Sequence, residues 1–481
     1  MTISILQLSD LHRDPNNPIR NDVLLQSLEN DKARYTKKDD PSVRPPDVII
    51  VSGDVIQGVW PGTPDFEARL AEQYAEALEF LSRLADRFVA GDRQRVVIVP
   101  GNHDVSACHF MESLTKVDIL PDRKKALLSQ LFSPESDLRW SWDDLALFKI
   151  SDAERYKQRL AAFQKFYSDF YKATRTYDLD ATKQFDVFDY PTLDLTITAF
   201  SSCYNNDILN KQGAIHPACV AGAVELLRHP QYNNRHRLAV WHHNTEGLPS
   251  QSDYMDAGIL QNLIDGGYSV GFHGHQHRPQ FLDTRFKYGE ERRITVISAG
   301  TLCGHASFAH ARAYNIIELD TEKNTGRLHL REMQNDNLQN PIWSRRPLRM
   351  GNSAAFLDFE FDPPPEPVSS DNATEALVEA QRLFEAGEFA LAVPLLDGLF
   401  RTDQLARRLL LECLLRMDAS AEIIARFIPS VSASESIAVM DALWTTGQKE
   451  QLRQFLDHKN IAATTDPSVA ELRNKYATRL K

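Results

Sequence analysis

Five short clusters of acidic, imidazole and amide side chains stand out in this sequence: Asp10-Leu11-His12, Gly53-Asp54, Gly101-Asn102-His103-Asp104, His242-His243-Asn244 and Gly274-His275-Gln276-His277. Carboxylates and imidazoles bind divalent transition metals. At a strand end, the Asp and His of the first cluster fall on one side and can chelate a single ion. Asp54 can bridge two neighbouring ions, Asn102 offers a neutral amide oxygen, and further histidines complete two shells. Two ions held in this way can activate a water and clamp phosphoryl oxygens during in-line attack. The glycines before Asp54, Asn102 and His275 are expected to permit the turns that aim these side chains inward. Each cluster alone is more often structural, since Gly, Asn and Asp favour turns and a histidine pair can be core packing. Their joint occurrence, each at a strand end, points to a site.

The elements that must position them are buried strands. Residues 2–8, 47–51 and 95–99 are apolar and β-branched, as for strands covered on both faces, and each runs into one of the clusters. Helical spacing over 66–88 joins the second to the third in a βαβ pattern. Strands are expected again at 193–200, 238–241, 269–273 and 294–298, with an antiparallel pair at 314–319 and 327–332. In open α/β sheets, ligands bind at the carboxyl ends of the strands, where all five clusters fall. Residues from about 105 to 185 interrupt the alternation. Their patterns ALLSQLF, DDLALFKI and YKQRLAAFQKFYSDFYKATR predict a helical insertion over the core.

The series DLH, GD, GNHD, HH and GHQH resembles the signature of the calcineurin-like metallophosphoesterase superfamily, over roughly residues 1–335. The resemblance implies an α/β fold: a metallophosphoesterase β-sandwich flanked by helices, here with a helical insertion and a C-terminal all-α domain. It implies a metal-dependent phosphoric ester hydrolase with two divalent ions. Manganese is favoured, and iron, zinc or cobalt also suits these ligands. Carried over residue by residue, Asp10, His12 and His277 would hold the first ion, and Asp54 would bridge. Asn102, His242 and His275 would hold the second. His103 would stand near the leaving group as the acid or transition-state stabiliser, with Asp104 orienting its ring. The family uses the first histidine of the pair, so His242 is preferred to His243. Many relatives have proline where this chain has Asn244, so the loop beyond is expected to differ. Ser298-Ala299-Gly300-Thr301 resembles the small-residue turn that closes the site. His305 beyond it, and Cys203 with Tyr204-Asn205-Asn206, fall where a substrate could be reached.

The implied substrates are phosphodiesters in nucleotides or nucleic acid. The alternatives are phosphomonoesters of small molecules or phosphoproteins, or an effector or scaffold role recruited through the C-terminal helices. Arg20, Arg34, Lys37, Lys38 and Arg44 could form a basic rim, and the Phe/Tyr stripe from Phe163 to Tyr171 could stack bases. For both, a solvated face or core packing is the commoner outcome.

Length and charge set the frame. At 481 residues the chain is long enough for two or three domains. Residues 1–350 are expected to form the phosphoesterase domain and 351–371 a proline-rich linker. Residues 372–481 are expected to form a helical repeat-like domain that offers a surface for a protein partner or self-association. A net charge of −12 argues against nonspecific coating of nucleic acid. Five scattered cysteines without CxxC spacing, no signal peptide and no membrane span suggest a cytoplasmic protein.

Overall fold

A computed structural model describes every residue except 120–123, 132–135, 248–252, 286–291, 305–309, 336, 347–354, 366–370, 465 and 481. The strands, in chain order, are β1 (Thr2–Leu8), β2 (Val48–Ser52), β3 (Val96–Val99), β4 (Leu114–Val117), β5 (Leu138–Ser141), β6 (Ala146–Ile150), β7 (Phe185–Tyr190), β8 (Leu195–Phe200), β9 (His236–Val240), β10 (Tyr268–His273), β11 (Gln280–Arg285), β12 (Arg293–Ser298), β13 (Ala313–Asp320), β14 (Thr325–Met333), β15 (Trp343–Arg345) and β16 (Leu357–Glu360).

Two large sheets face each other. The first runs β15-β14-β13-β1-β2-β3, with β1, β2 and β3 parallel and β16 also paired to β14. The second runs β11-β12-β10-β9-β8-β7, parallel except at its two edge strands. Ile3, Ile5 and Leu8 of the first sheet and Leu238, Val240 and Phe272 of the second belong to one buried cluster. Polar groups also cross between the sheets: Gln7 Nε2 donates to the carbonyls of His273 (3.0 Å) and Ile297 (3.1 Å). Both sheets are covered on their outer faces. The helix Phe66–Phe88 buries Leu70, Tyr74, Ala77, Leu81 and Leu84 at helical spacing. The helices Pro217–Leu226 and Gly258–Asp265 pack Val220, Val224, Leu260 and Leu263 with Ala239, Trp241 and Val296. The metallophosphoesterase architecture expected from the sequence is therefore present.

The insertion is mixed rather than all helical. DDLALFKI was expected to be helical, but its residues Ala146–Ile150 form β6, the centre of a small antiparallel sheet β4-β6-β5. An eight-residue apolar window does not separate the two periods, and pairing on both edges decides for the strand. The Phe/Tyr stripe is packing: Phe163, Phe166, Tyr167, Phe170 and Tyr171 are buried, and Phe166 stacks on Tyr74.

The stretch 351–371, expected to be a linker, contains β16, which extends the first sheet. Beyond it the described residues are helical. Turns at Gly387, Asp418 and Gly447, all with positive φ, join helices Asp371–Glu385 to Phe389–Asp397, Gln404–Arg416 to Ser420–Phe427 and Ala433–Thr445 to Lys449–Asp457. These helices share a core of their own. They dock on the second sheet's helices through an Arg228–Asp403 ion pair and through Leu405.

At this junction lies an open cleft lined by Asp265, Arg292, Arg407, Arg408, Glu412 and Glu435 among others. Burial pushes the Asp265 carboxyl up to about 6. A carboxyl raised in the fold binds more protons folded than unfolded, so its cost is absent below about pH 4 and complete above about pH 6. Asp265→Asn is therefore expected to stabilise the protein by about 1–2 kcal/mol at pH 7.5 and not at pH 4. Urea unfolding at the two pH values checks this; an equal gain at both would count against it.

Candidate metal centre

The registers bring the clusters to one edge. Leu8 lies opposite Val51 and Ser52 opposite Val99, so Asp10, Asp54 and Asn102 leave the first sheet side by side. In the second sheet Val240 lies opposite Phe272, and His242 and His275 leave in the same direction. Backbone hydrogen bonds lock the loops together: Asp10 N to Gly53 O (3.1 Å), His12 N to Asp54 O (3.0 Å) and Gly274 N to His242 O (3.0 Å). The Ser298–Thr301 turn closes over them, with Leu302 N donating to Ser9 O and Thr301 Oγ1 to Asp10 O.

Asp10, His12, Asp54, His275 and His277 all adopt positive φ, between 44° and 73°. Non-glycine residues rarely do so, at a cost on the order of 1–3 kcal/mol each, and such residues concentrate at functional sites. Of the three glycines expected to supply turns, only Gly53 has positive φ (94°). Gly101 and Gly274 serve close approach instead: a Cβ would run into Asp54 at the first and Ser9 at the second.

The side chains form two adjoining sets. In the first, the ligand atoms of Asp10, His12, Asp54 and His277 lie within 4.8 Å of one another. His12 Nε2 is 3.2 Å from His277 Nε2, which is 3.2 Å from Asp10 Oδ1. In the second set, Asn102 Oδ1 lies 3.1 Å from His242 Nε2 and 2.9 Å from His275 Nδ1. Asp54 belongs to both, its Oδ2 being 3.9 Å from His12 Nε2 and its Oδ1 3.3 Å from His242 Nε2. Two imidazole nitrogens converging beside buried carboxylates form a donor set that suits a divalent cation, and Asp54 places one oxygen beside each set.

The electrostatics agree. Burial works to raise Asp10, but the His277 and His242 charges outweigh it and hold the carboxyl at about 2. Burial likewise opposes ionisation of Asp54, and His242 and His103 hold it well below the usual range. Burial pushes His12 down to about 4. These three are thus in the protonation state a ligand requires. His242 differs: burial works against its cation, yet Asp54 raises it to about 9. A metal ion bound there would displace that proton.

His103 stands beside the sets, its ring edge-on to His12 at 4.6 Å. Its backbone N donates to Asp54 Oδ1 (2.8 Å). Its Nδ1 lies 2.6 Å from the carbonyl of Gln57, which can only accept, so Nδ1 carries a proton and Nε2 is left for another partner. The orienting group of the ring is therefore Gln57, not Asp104 as expected. The buried Asp104 carboxylate instead accepts from Gly101 N (2.8 Å), Val55 N (3.0 Å) and the Tyr74 hydroxyl (3.0 Å), tying the GD loop to the GNHD turn. Burial together with the Asp54 charge pushes Asp104 up to about 7.

Other expectations fare unequally. His243 is fully buried, with Nδ1 2.9 Å from Ser202 Oγ, outside both sets. Ser202, which the sequence reading missed, also accepts the backbone N–H of His242 and of His243 (3.1 Å each); its place at the end of β8 was the available signal. His273 is buried on β10 and stacks on Trp241. Cys203 is buried, with Sγ 3.8 Å from the Pro100 carbonyl. His305 lies outside the described residues.

The basic rim does not form. The helix Asn21–Lys37 carries the chain about 25 Å from the edge that bears the clusters, and Ser4 Oγ bonds the Arg44 carbonyl near the opposite edge. Arg34 is committed to the Trp343 carbonyl, and Arg20 pairs with Asp22.

Among solved structures, a predicted phosphoesterase from Streptococcus pneumoniae is 9% identical, with 75% of this chain and 98% of that chain covered and a TM-score of 0.26. Vps29 from Chaetomium thermophilum is 8% identical (75% and 98% covered, TM-score 0.25). A single mutant of Vps29 from Entamoeba histolytica is 10% identical (74% and 100% covered, TM-score 0.25). No curated protein matches the chain. No helix among the described residues is long and apolar enough to cross a membrane. The family described as calcineurin-like phosphoesterase matches residues 3–279, from the first strand to just past His277. That match takes in more than half of the sequence and all five clusters, and the chain belongs to the calcineurin-like phosphoesterase family.

Proposed function

We propose that this chain is a two-metal phosphodiesterase acting on nucleotides or nucleic acid, with manganese as the favoured ion. When bound, the two ions supply an activated water and neutralise phosphoryl charge. Asp10, His12 and His277 hold one, Asn102, His242 and His275 the other, and Asp54 spans them. His103, its Nδ1–H donated to the Gln57 carbonyl, presents Nε2 to the leaving oxygen and in its doubly protonated form acts as the acid. Asp104 keeps the turn that carries His103 in place. Partner recruitment through residues 372–481, as tetratricopeptide-like hairpins, and a cytoplasmic setting complete the proposal.

The observation that favours a base-bearing substrate is Trp60. It follows Gln57 by three residues, so its Cα lies within about 11 Å of the residue that orients His103. Its carbonyl is anchored by Cys108 Sγ at 3.4 Å, and yet 74% of the residue is exposed. An exposed indole held on the rim of a phosphoesterase site suits base stacking, worth about 1–3 kcal/mol per base.

The test is turnover in manganese of single-stranded DNA and bis-p-nitrophenyl phosphate, compared with p-nitrophenyl phosphate. Both diesters should exceed the monoester. Trp60→Ala should raise KM for the oligonucleotide by roughly 5- to 100-fold and leave an abasic oligonucleotide unaffected. Preference for the monoester would overturn the substrate assignment, and inertness toward all three would favour the scaffold.

A further inference from the structure

His275 presents its two ring nitrogens to different surroundings. Nδ1 faces Asn102 Oδ1 at 2.9 Å, within the second metal set. Nε2 is buried and has no hydrogen-bond partner, but lies 3.6 Å from Asp253 Oδ2. Asp253 Oδ1 is likewise buried without a hydrogen bond. The unsatisfied His275 Nε2 thus faces the Oδ2 of a carboxylate whose other oxygen is also without a hydrogen bond, behind a candidate ligand.

The loop that carries Asp253 is tied to the site. Where many relatives have proline, Asn244 accepts Met255 N on its carbonyl (2.8 Å) and Gln276 Nε2 on its side chain (3.3 Å). Gln280 Nε2 donates to Glu246 Oε2 (2.9 Å). The chain after the histidine pair therefore folds back on the GHQH turn, and Asp253 arrives behind His275.

We infer that Asp253 is a positioning residue for the second metal ion: its carboxylate holds the His275 proton on Nε2, leaves the Nδ1 lone pair for the ion, and fixes the ring plane. This rests on the two-metal reading above. A carboxylate behind a ligating histidine sets its tautomer and raises its basicity, and loss of such a partner weakens metal binding about 10–100-fold. Asp253 faces His275 on the side away from Asn102, so its effect passes through His275.

The test is manganese titration of the metal-free full-length protein, followed by the paramagnetic resonance of free Mn²⁺, with circular dichroism to check the fold. Asp253→Asn should weaken one of the two manganese sites about 10–100-fold and leave the other unchanged. Asp253→Glu should recover much of that affinity, which a general loop defect would not. Turnover of Asp253→Asn should return at high manganese, as a raised metal requirement with little change in maximal rate. Two unaltered manganese affinities in Asp253→Asn, or equal weakening of both, would overturn the inference. Because manganese binding needs no substrate, a failed phosphodiester assay leaves this outcome standing on its own.

Discussion

Asp54→Asn is expected to lower turnover of any phosphoester on the order of 10³-fold and to leave the protein unable to hold two ions together. Asp54 places Oδ1 beside His242 and Oδ2 beside His12. An asparagine keeps only one oxygen, and its NH₂ group would face one of the two sets as a donor where an acceptor is required. The substitution also removes the negative charge that opposes cation repulsion at the seam. Charge stabilisation by a metal clamp is worth several kcal/mol, and each 1.36 kcal/mol is tenfold in rate. Metal stoichiometry of the purified variant and its turnover of bis-p-nitrophenyl phosphate in excess manganese provide the check. Full turnover with both ions bound would refute a bridging role.

Asp31→Ala should cost about 3 kcal/mol of stability, toward the lower end of the 3–5 kcal/mol typical when one member of a buried ion pair is removed. Asp31 and Arg331 are each 1% exposed. Arg331 donates to both Asp31 oxygens, from Nε at 2.8 Å and from Nη2 at 2.5 Å, and the Tyr314 hydroxyl donates to Oδ2 at 2.5 Å. These contacts pin the helix Asn21–Lys37 to β13 and β14. Asp39, 2.6 Å from Arg331 Nη1, would keep part of the charge compensated. The adjacent Trp343 packs on Tyr314 and offers a local fluorescence probe during urea unfolding. A loss below about 1 kcal/mol would mean that Asp39 or water replaces Asp31 in full.

Much of the molecule is readable from residue types and spacing, and the failures have physical causes. The five clusters were legible because carboxylate, imidazole and amide groups are distinctive and each follows a strand. The parallel strands β1, β2, β3, β9, β10 and β12 were legible because burial on both faces demands continuous apolar runs. The edge strands β7 and β11 carry polar residues among the apolar ones and gave no such run. Strand β16 was hidden by the prolines that follow it. Gln57 acts through its carbonyl, a group every residue has, so no side-chain pattern could mark it. Asp253 and Ser202 owe their places to pairing between distant loops. The expected basic rim failed for a geometrical reason in its larger part, since a helix of 17 residues carries Arg34, Lys37, Lys38 and Arg44 away from the clusters, while Arg20 at its start pairs with Asp22.

The division of the candidate ligands between the sheets has a thermodynamic consequence. Asp10, His12, Asp54 and Asn102 come from one layer, and His242, His275 and His277 from the other. Each ion would therefore be shared across the seam and could complete its shell only while the layers are apposed. By linkage, binding that requires apposition favours apposition by RT ln(1 + [L]/Kd). The metals would then act as rivets as well as reagents. The strained loops, a liability in the bare protein, would become the points at which the supply of metal governs how tightly the sandwich is shut.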